Sequence, residues 1–499
     1  MMKKGFKILA VFLCVVMIAI IGVGCSPKRE LKKASRNITT YSIDAVFCDS
    51  EKKISAVEVV EYVHPYSNIV ENLMFNLYGR AFREDAKIKP YSLGKLEDCF
   101  PNGVNYGELI IKSVGVDNTA VNYSLCGDDE NALNIALFKP LEKGDKVTIT
   151  IEFELYLANC THRLGFNNGK VNLGNWYPVV ACIGENGFEI EPYWSNGDPF
   201  YSNIANYNVS ISFPAKYEIV SSGELKNRVE ESGVVTTLYS ALAVRDFAMV
   251  LLEDFLVSTE IVGDTEVVVV SHSADEWLQV YLETAKKTLQ LFNDLFGVYP
   301  YSTLSVVMTD FFQGGMEYPN LVYISNSVQE LADRKKVIIH EIAHQWWYGL
   351  VGNDEVDMAW FDEGLAEYST LLYYENYADE GVDSVKLVKD TITSYELYLD
   401  VIKTLNLEIN YSMQLPLDEY LSEYEYVYMV YVKGLLFFDS LRETVGEEDF
   451  FNFLKSIVKE YKFKNITKDN FLSTLEKVTG RNMDEFVNNW LSGKVDNFK

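Results

Sequence analysis

The sequence predicts an α+β protein, with a β-rich N-terminal sandwich or saddle domain followed by a mainly helical domain. Three observations carry this reading. From about Thr40 to Ser271 apolar and polar residues alternate, broken by Gly, Asn and Asp turns. At Ala274 the apolar spacing changes to about 3.6 residues. Beyond it, two short strand patterns precede a series of helices, one of which carries a pair of histidines. The boundaries that follow are residues 40–255 for the β-rich domain and 256–499 for the second.

Length and charge bound the rest. A chain of 499 residues, 48% hydrophobic and 14% aromatic, has material for two or more cores. Its formal net charge of −28 argues against nucleic acid as a partner.

The chain opens with a positive segment, Lys3, Lys4 and Lys7, and an apolar run from Ile8 to Val23. Small residues then precede Cys25, in Gly22-Val23-Gly24-Cys25-Ser26. Residues 1–24 therefore read as a secretory signal peptide that resembles a bacterial lipoprotein leader, with Cys25 as the lipidated residue. An uncleaved membrane anchor is the alternative. Both place the protein outside the cytoplasm, tethered to the cell membrane. Residues 25–39 form a basic membrane-proximal linker with Lys28, Arg29, Lys32, Lys33 and Arg36, able to lie against anionic lipid or to stand in solvent. Besides Cys25, the cysteines beyond the leader are Cys48, Cys99, Cys126, Cys160 and Cys182, none with metal-ligand spacing.

Within the alternating stretch from Thr40 to Ser271, Gly107–Val116, Lys146–Leu157, Tyr207–Phe213 and Thr265–Ser271 are the clearest strands. Trp176-Tyr177-Pro178 and Asp198-Pro199 read as structural turns. In the second domain, Trp277 to Phe292 fits one face of a helix that ends at Gly297. Leu304–Thr309 and Leu321–Ile324 are strands. Amphipathic helices follow at about Glu423–Val445, Glu448–Tyr461, Lys468–Val478 and Met483–Leu491.

The chemistry concentrates between Lys336 and Tyr368. His340-Glu341-Ile342-Ala343-His344 is an H-E-x-x-H pattern, and two of the chain's 5 histidines fall in it. On a helix, residues four apart share a face, so both imidazoles can bind one zinc ion at about 2.0–2.1 Å. Glu341, beside them, can take a proton from the attacking water without ligating the metal. Hydrolytic zinc needs a third protein ligand, and Glu363 in Glu363-Gly364-Leu365-Ala366-Glu367 lies at a suitable distance downstream. Glu367, one turn further on, could orient a metal ligand or stand in solvent. Upstream, Gly314 and Gly315 allow a peptide backbone close approach.

These residues, with Gly314-Gly315-Met316-Glu317-Tyr318 and Tyr431-Val432-Lys433-Gly434, resemble the gluzincin zinc aminopeptidases, the family of aminopeptidase N and leukotriene hydrolase. The resemblance spans residues 314 to 434. It implies a thermolysin-like catalytic domain, one zinc ion per chain on His340, His344 and Glu363, and peptide substrates. It also implies Glu341 as general base, Tyr431 as hydrogen-bond donor to the oxyanion, and Glu317 as anchor for the substrate's free amine beside Gly314, Gly315 and Met316. The residues alone do not choose Tyr431 over Tyr424, Tyr426 or Tyr428. Tyr318 and Asp362 each replace an asparagine usual in the family. Only 65 residues follow Gly434, so the large helical domain that covers the site in some members is not expected. The activity expected is removal of N-terminal residues from peptides. A zinc endopeptidase and a surface peptide-binding protein with an idle site are the alternatives, and the oligomeric state stays open.

Overall fold

The computed structural model describes residues 27–495, except residue 185. The expected signal peptide and Cys25 lie outside these residues. Among the described residues no helix is long and apolar enough to cross a membrane.

The alternation between Thr40 and Ser271 becomes β-structure. An eight-stranded sheet runs in the order 224–231, 234–244, 205–214, 40–48, 53–63, 146–156, 108–116 and 119–120. Strand Thr40–Cys48 shows why it has one wet face: Tyr41, Ile43, Ala45 and Phe47 are buried, and the residues between them are exposed. Two four-stranded sheets contribute to the same core, where Phe153 meets Trp176 at 6.3 Å. The expected strands are present as Glu108–Val116, Lys146–Tyr156, Ala205–Pro214 and Thr265–His272.

One inward position breaks the pattern. Glu58 is fully buried, and neither of its carboxylate oxygens has a hydrogen-bond partner among the described residues. Burial pushes its pKa well above the usual carboxylate range. The folded protein therefore holds a proton that the unfolded chain has released at neutral pH, so stability falls as pH rises above the unfolded pKa. Tyr41 and Tyr207, the titratable side chains that feel its charge, are neutral throughout this range. Glu58→Gln is expected to stabilise the protein more at pH 8 than near pH 4.5, where the carboxyl is at least partly protonated in both states. Thermal unfolding at both pH values tests this, and an equal gain at each would exclude linkage to Glu58.

The second region starts with a five-stranded sheet in the order 255–262, 265–272, 303–309, 321–325 and 315–316. Helix α2 (Leu278–Phe296) packs on it, and α3 (Leu331–Ala343) and α4 (Ala359–Asn376) follow; α1 (Pro27–Ala34) precedes the first sheet. The sequence reading leaves Pro27–Ala34 as linker and anticipates no helix at α5 (Ser384–Thr404). Only Tyr395 and Tyr398 of α5 are buried, too narrow a stripe to dominate its apolar spacing. The helix expected from Glu423 to Val445 is interrupted: Glu423–Tyr426 is α-helical, Val427–Val432 is a π-helical segment, and α6 (Lys433–Val445) resumes. Three further helices, 447–461, 468–479 and 484–491, end the described chain.

Arg245 ties the regions together. It is buried, and its guanidinium donates to the carbonyls of Tyr348 at 2.6 Å, Ser202 at 3.1 Å and Lys464 at 2.6 Å. Tyr348 holds a φ of 136°, a region that costs a non-glycine residue energy, and its carbonyl is the one fixed by Arg245 Nε.

Candidate active site

Helix α3 delivers His340 in its last turn and His344 at its C-cap, so both imidazoles face one side. His344 Nδ1 lies 2.9 Å from the carbonyl of Trp347, which makes it the N–H donor and leaves the Nε2 lone pair facing inward. His340 Nδ1 lies 3.2 Å from Glu367 Oε1, and Lys336 holds the other oxygen of Glu367 at 3.2 Å. Glu367 is thus engaged by Lys336 and lies beside His340.

Glu363 comes from the first turns of α4, a helix in which Trp360, Phe361 and Leu365 are buried. The two Nε2 atoms lie 3.1 Å apart, and Glu363 Oε2 is 3.2 Å from one and 3.3 Å from the other. A tetrahedral zinc site has ligand-to-ligand edges of about 3.4 Å. Two inward lone-pair nitrogens and one carboxylate oxygen at these separations are a donor set that a cation satisfies, and the residues fit zinc. Burial opposes ionisation of Glu363, but His344 and His340 overrule it and hold its carboxyl well below the usual range.

Glu341 is buried on the same helix, and its Oε2 has no hydrogen-bond partner among the described residues. Burial pushes it up to about 7 against the pull of both histidines. Its other oxygen lies where a side chain at Gly315 would be: a Cβ there would come within 2.2 Å of Glu341 Oε1. Gly315 is thus a steric requirement of Glu341 as much as of a peptide. Gly314 is freer, since a Cβ there meets only Val337 at 3.8 Å. Met316 pairs with Tyr323 in the sheet edge, and its side chain is buried in the core instead of lining the cavity.

Glu317 does line the cavity, with Oε1 unpartnered among the described residues. Gln345, next to the second histidine, donates to the Glu317 and Tyr318 carbonyls at 3.4 and 3.3 Å and so pins this loop to α3. Tyr318 passes into the β-rich domain, donating to Asn175 Oδ1 at 2.7 Å over Gly174, where any Cβ would collide with it. Asp362 faces Glu355, a buried carboxyl pair behind the ligand helix; burial raises both, Asp362 to about 7.

Tyr431 lies in the π-helical segment, its ring stacked on His340 at 5.8 Å and its hydroxyl donating to Glu363 Oε1 at 2.5 Å. Among the four candidate tyrosines it alone contacts the ligand set in this way. Its approach depends on two glycines: a Cβ on Gly434 would come within 2.8 Å of Gly364 Cα, so α4 and α6 touch backbone to backbone.

The sequence reading misses Asp198 and Arg163, which the β-rich domain contributes to the same cavity of about 390 Å³. Asp198, read only as part of a turn, has a carboxylate oxygen within 4.8 Å of those of Glu317 and Glu363. Arg163 forms an ion pair with it and donates to Tyr193 at 3.3 Å. No local pattern marks either residue.

Fold and site together define a metal centre of the H-E-x-x-H plus glutamate type, roofed by a β-rich domain. Residues 280–490, under half of the chain, match the peptidase family M1 domain. Aminopeptidase N of Lactococcus lactis is 23% identical over 417 residues, covering 77% of this chain and 46% of the relative. Human aminopeptidase B is 31% identical over 210 residues, covering 39% of this chain and 29% of the relative. The chain thus spans less than half the length of these curated relatives. A mutant M1 zinc metallopeptidase from Deinococcus radiodurans, solved with a Tyr-Ser-Ala substrate, superposes with a TM-score of 0.65 at 17% identity. It covers 93% of this chain and 95% of its own, and at that identity it speaks for the fold.

Proposed function

We propose that this chain is a zinc aminopeptidase, removing residues one at a time from the free N-terminus of peptides. The observation that carries the reading is the unpartnered, buried Oε1 of Glu317, facing the cavity beside Asp198 and the metal ligand Glu363. A carboxylate so enclosed is matched by an ammonium group, and fixing that group sets which bond reaches the metal ligands. When bound at His340, His344 and Glu363, zinc supplies a Lewis acid for the peptide carbonyl. Glu341 accepts the proton of the attacking water at its free Oε2 and returns it to the departing amine. The Tyr431 hydroxyl turns from Glu363 to donate to the developing oxyanion.

Glu317→Ala is expected to lower kcat/KM for free-amine peptides by about 10–100-fold and to leave the slow cleavage of N-acetylated ones unchanged. Wild-type protein cleaving acetylated and free peptides equally fast would replace the aminopeptidase reading with the endopeptidase one. We also propose that the protein acts outside the cytoplasm, tethered through its N-terminus. The apolar run Ile8–Val23 and the small residues before Cys25 support this.

A further inference from the structure

We infer that the face built from α1, the Lys143–Lys146 turn and the end of helix 447–461 docks on an anionic lipid bilayer. Helix α1 is held on the protein body. Glu30 pairs with Lys462, and the carbonyl of Ser35, just after the helix, accepts from Asn206 Nδ2 at 2.9 Å. It points Arg29, Lys32 and Lys33 outward, followed by the exposed Arg36. Among the described residues none of these four cations has a carboxylate within ion-pair distance.

The basic character continues on both sides of α1. On one side a cavity of about 730 Å³ includes Asn37–Thr39 in its wall and carries Lys143, Lys146 and Lys464, with no Asp or Glu lining it. On the other a cavity of about 240 Å³ carries Lys455, Lys459 and Lys462, with Glu30 its one acid. Phe463 belongs to both cavities, so they are neighbours and the cations form one surface. The acids on these segments are Glu30, tied to Lys462, Glu460, tied to Lys477, and Glu142 and Asp145 in the turn. Lys28 is tied to Asp264. In a chain with 72 acidic and 44 Lys and Arg residues, so one-sided a surface is an exception to the composition.

Two arguments select a bilayer as the occupant. The apolar run Ile8–Val23 enters the fold through α1, so a tether in the membrane would deliver this face to the lipid surface. A symmetric contact between two copies would set cation against cation. Each basic residue near an anionic lipid surface strengthens association by roughly fivefold, and the attraction fades beyond a Debye length of about 10 Å at 0.1 M salt.

The test is lysine acetylation, read by mass spectrometry, on the full chain reconstituted in vesicles of phosphatidylcholine alone or mixed with phosphatidylglycerol. Lys32, Lys33, Lys143, Lys146 and Lys464 are expected to label at least about fivefold more slowly on the mixed vesicles. High salt should remove the difference, and Lys386, on α5, should label equally on both. In a Lys32→Glu, Lys33→Glu, Lys146→Glu variant, the protection of Lys143 and Lys464 should be lost. Equal labelling on the two vesicle types would overturn the inference, as would protection that persists in the variant. Protection that appears without vesicles and grows with protein concentration would instead make the face an interface between copies. Protection by a soluble polyanion but not by vesicles would also overturn it. None of these readouts depends on peptidase activity, so this inference and the aminopeptidase reading fail separately.

Discussion

Glu341→Gln is expected to keep zinc stoichiometric and to lower kcat by about 10²–10⁴-fold. Glutamine has the shape of glutamate, so the contact with Gly315 and the packing of α3 are retained. What is lost is a proton acceptor, since Oε2 of this buried carboxylate has no hydrogen-bond partner among the described residues. The metal ligands His340, His344 and Glu363 are untouched, so metal analysis and steady-state rates on one preparation separate binding from proton transfer. Near-normal turnover by a fully zinc-loaded variant would remove Glu341 from the reaction.

His344→Ala should have the larger effect by the opposite route. It removes one of three protein ligands, and zinc is expected to be lost on dialysis, with kcat/KM falling by more than about 10³-fold. His344 is 1% exposed, and its loss also leaves the Trp347 carbonyl without its donor. Circular dichroism therefore accompanies the metal analysis, to show that α3 still forms. Retention of one zinc per chain by the folded variant would contradict the ligand assignment. With Glu341→Gln, the pair distinguishes an inactive protein that holds metal from one that has lost it.

The histidine pair is legible in the sequence because its geometry is local. His340 and His344 lie one helical turn apart, so their convergence is fixed by α-helix geometry before any tertiary contact exists. The strands from Thr40 onward are legible for a similar reason. A half-buried strand writes its inner face into alternate residues, as Tyr41, Ile43, Ala45 and Phe47 do. Glu58 is where that rule fails, because alternation records which face a residue takes and not whether its charge finds a partner there.

By itself, then, the sequence determined the fold class, the helix that carries the histidines, and the third ligand through its spacing to Glu363. The resemblance supplied Glu341, Glu317 and Tyr431, and tertiary structure alone added Asp198 and Arg163 and decided how these groups meet. Asp198 and Arg163 reach the cavity from a domain more than a hundred residues upstream of the zinc helix, and nothing in their neighbours marks them. Gly315 is explained by Glu341, Gly174 by Tyr318, and Gly364 by Gly434, each a close approach between distant segments. The π-helical segment that presents Tyr431 interrupts a helix whose apolar spacing gives no sign of it. Periodicity encodes the environment of a residue within a turn or two of its own backbone, whereas steric exclusion and charge pairing act between segments that only the folded chain brings into contact.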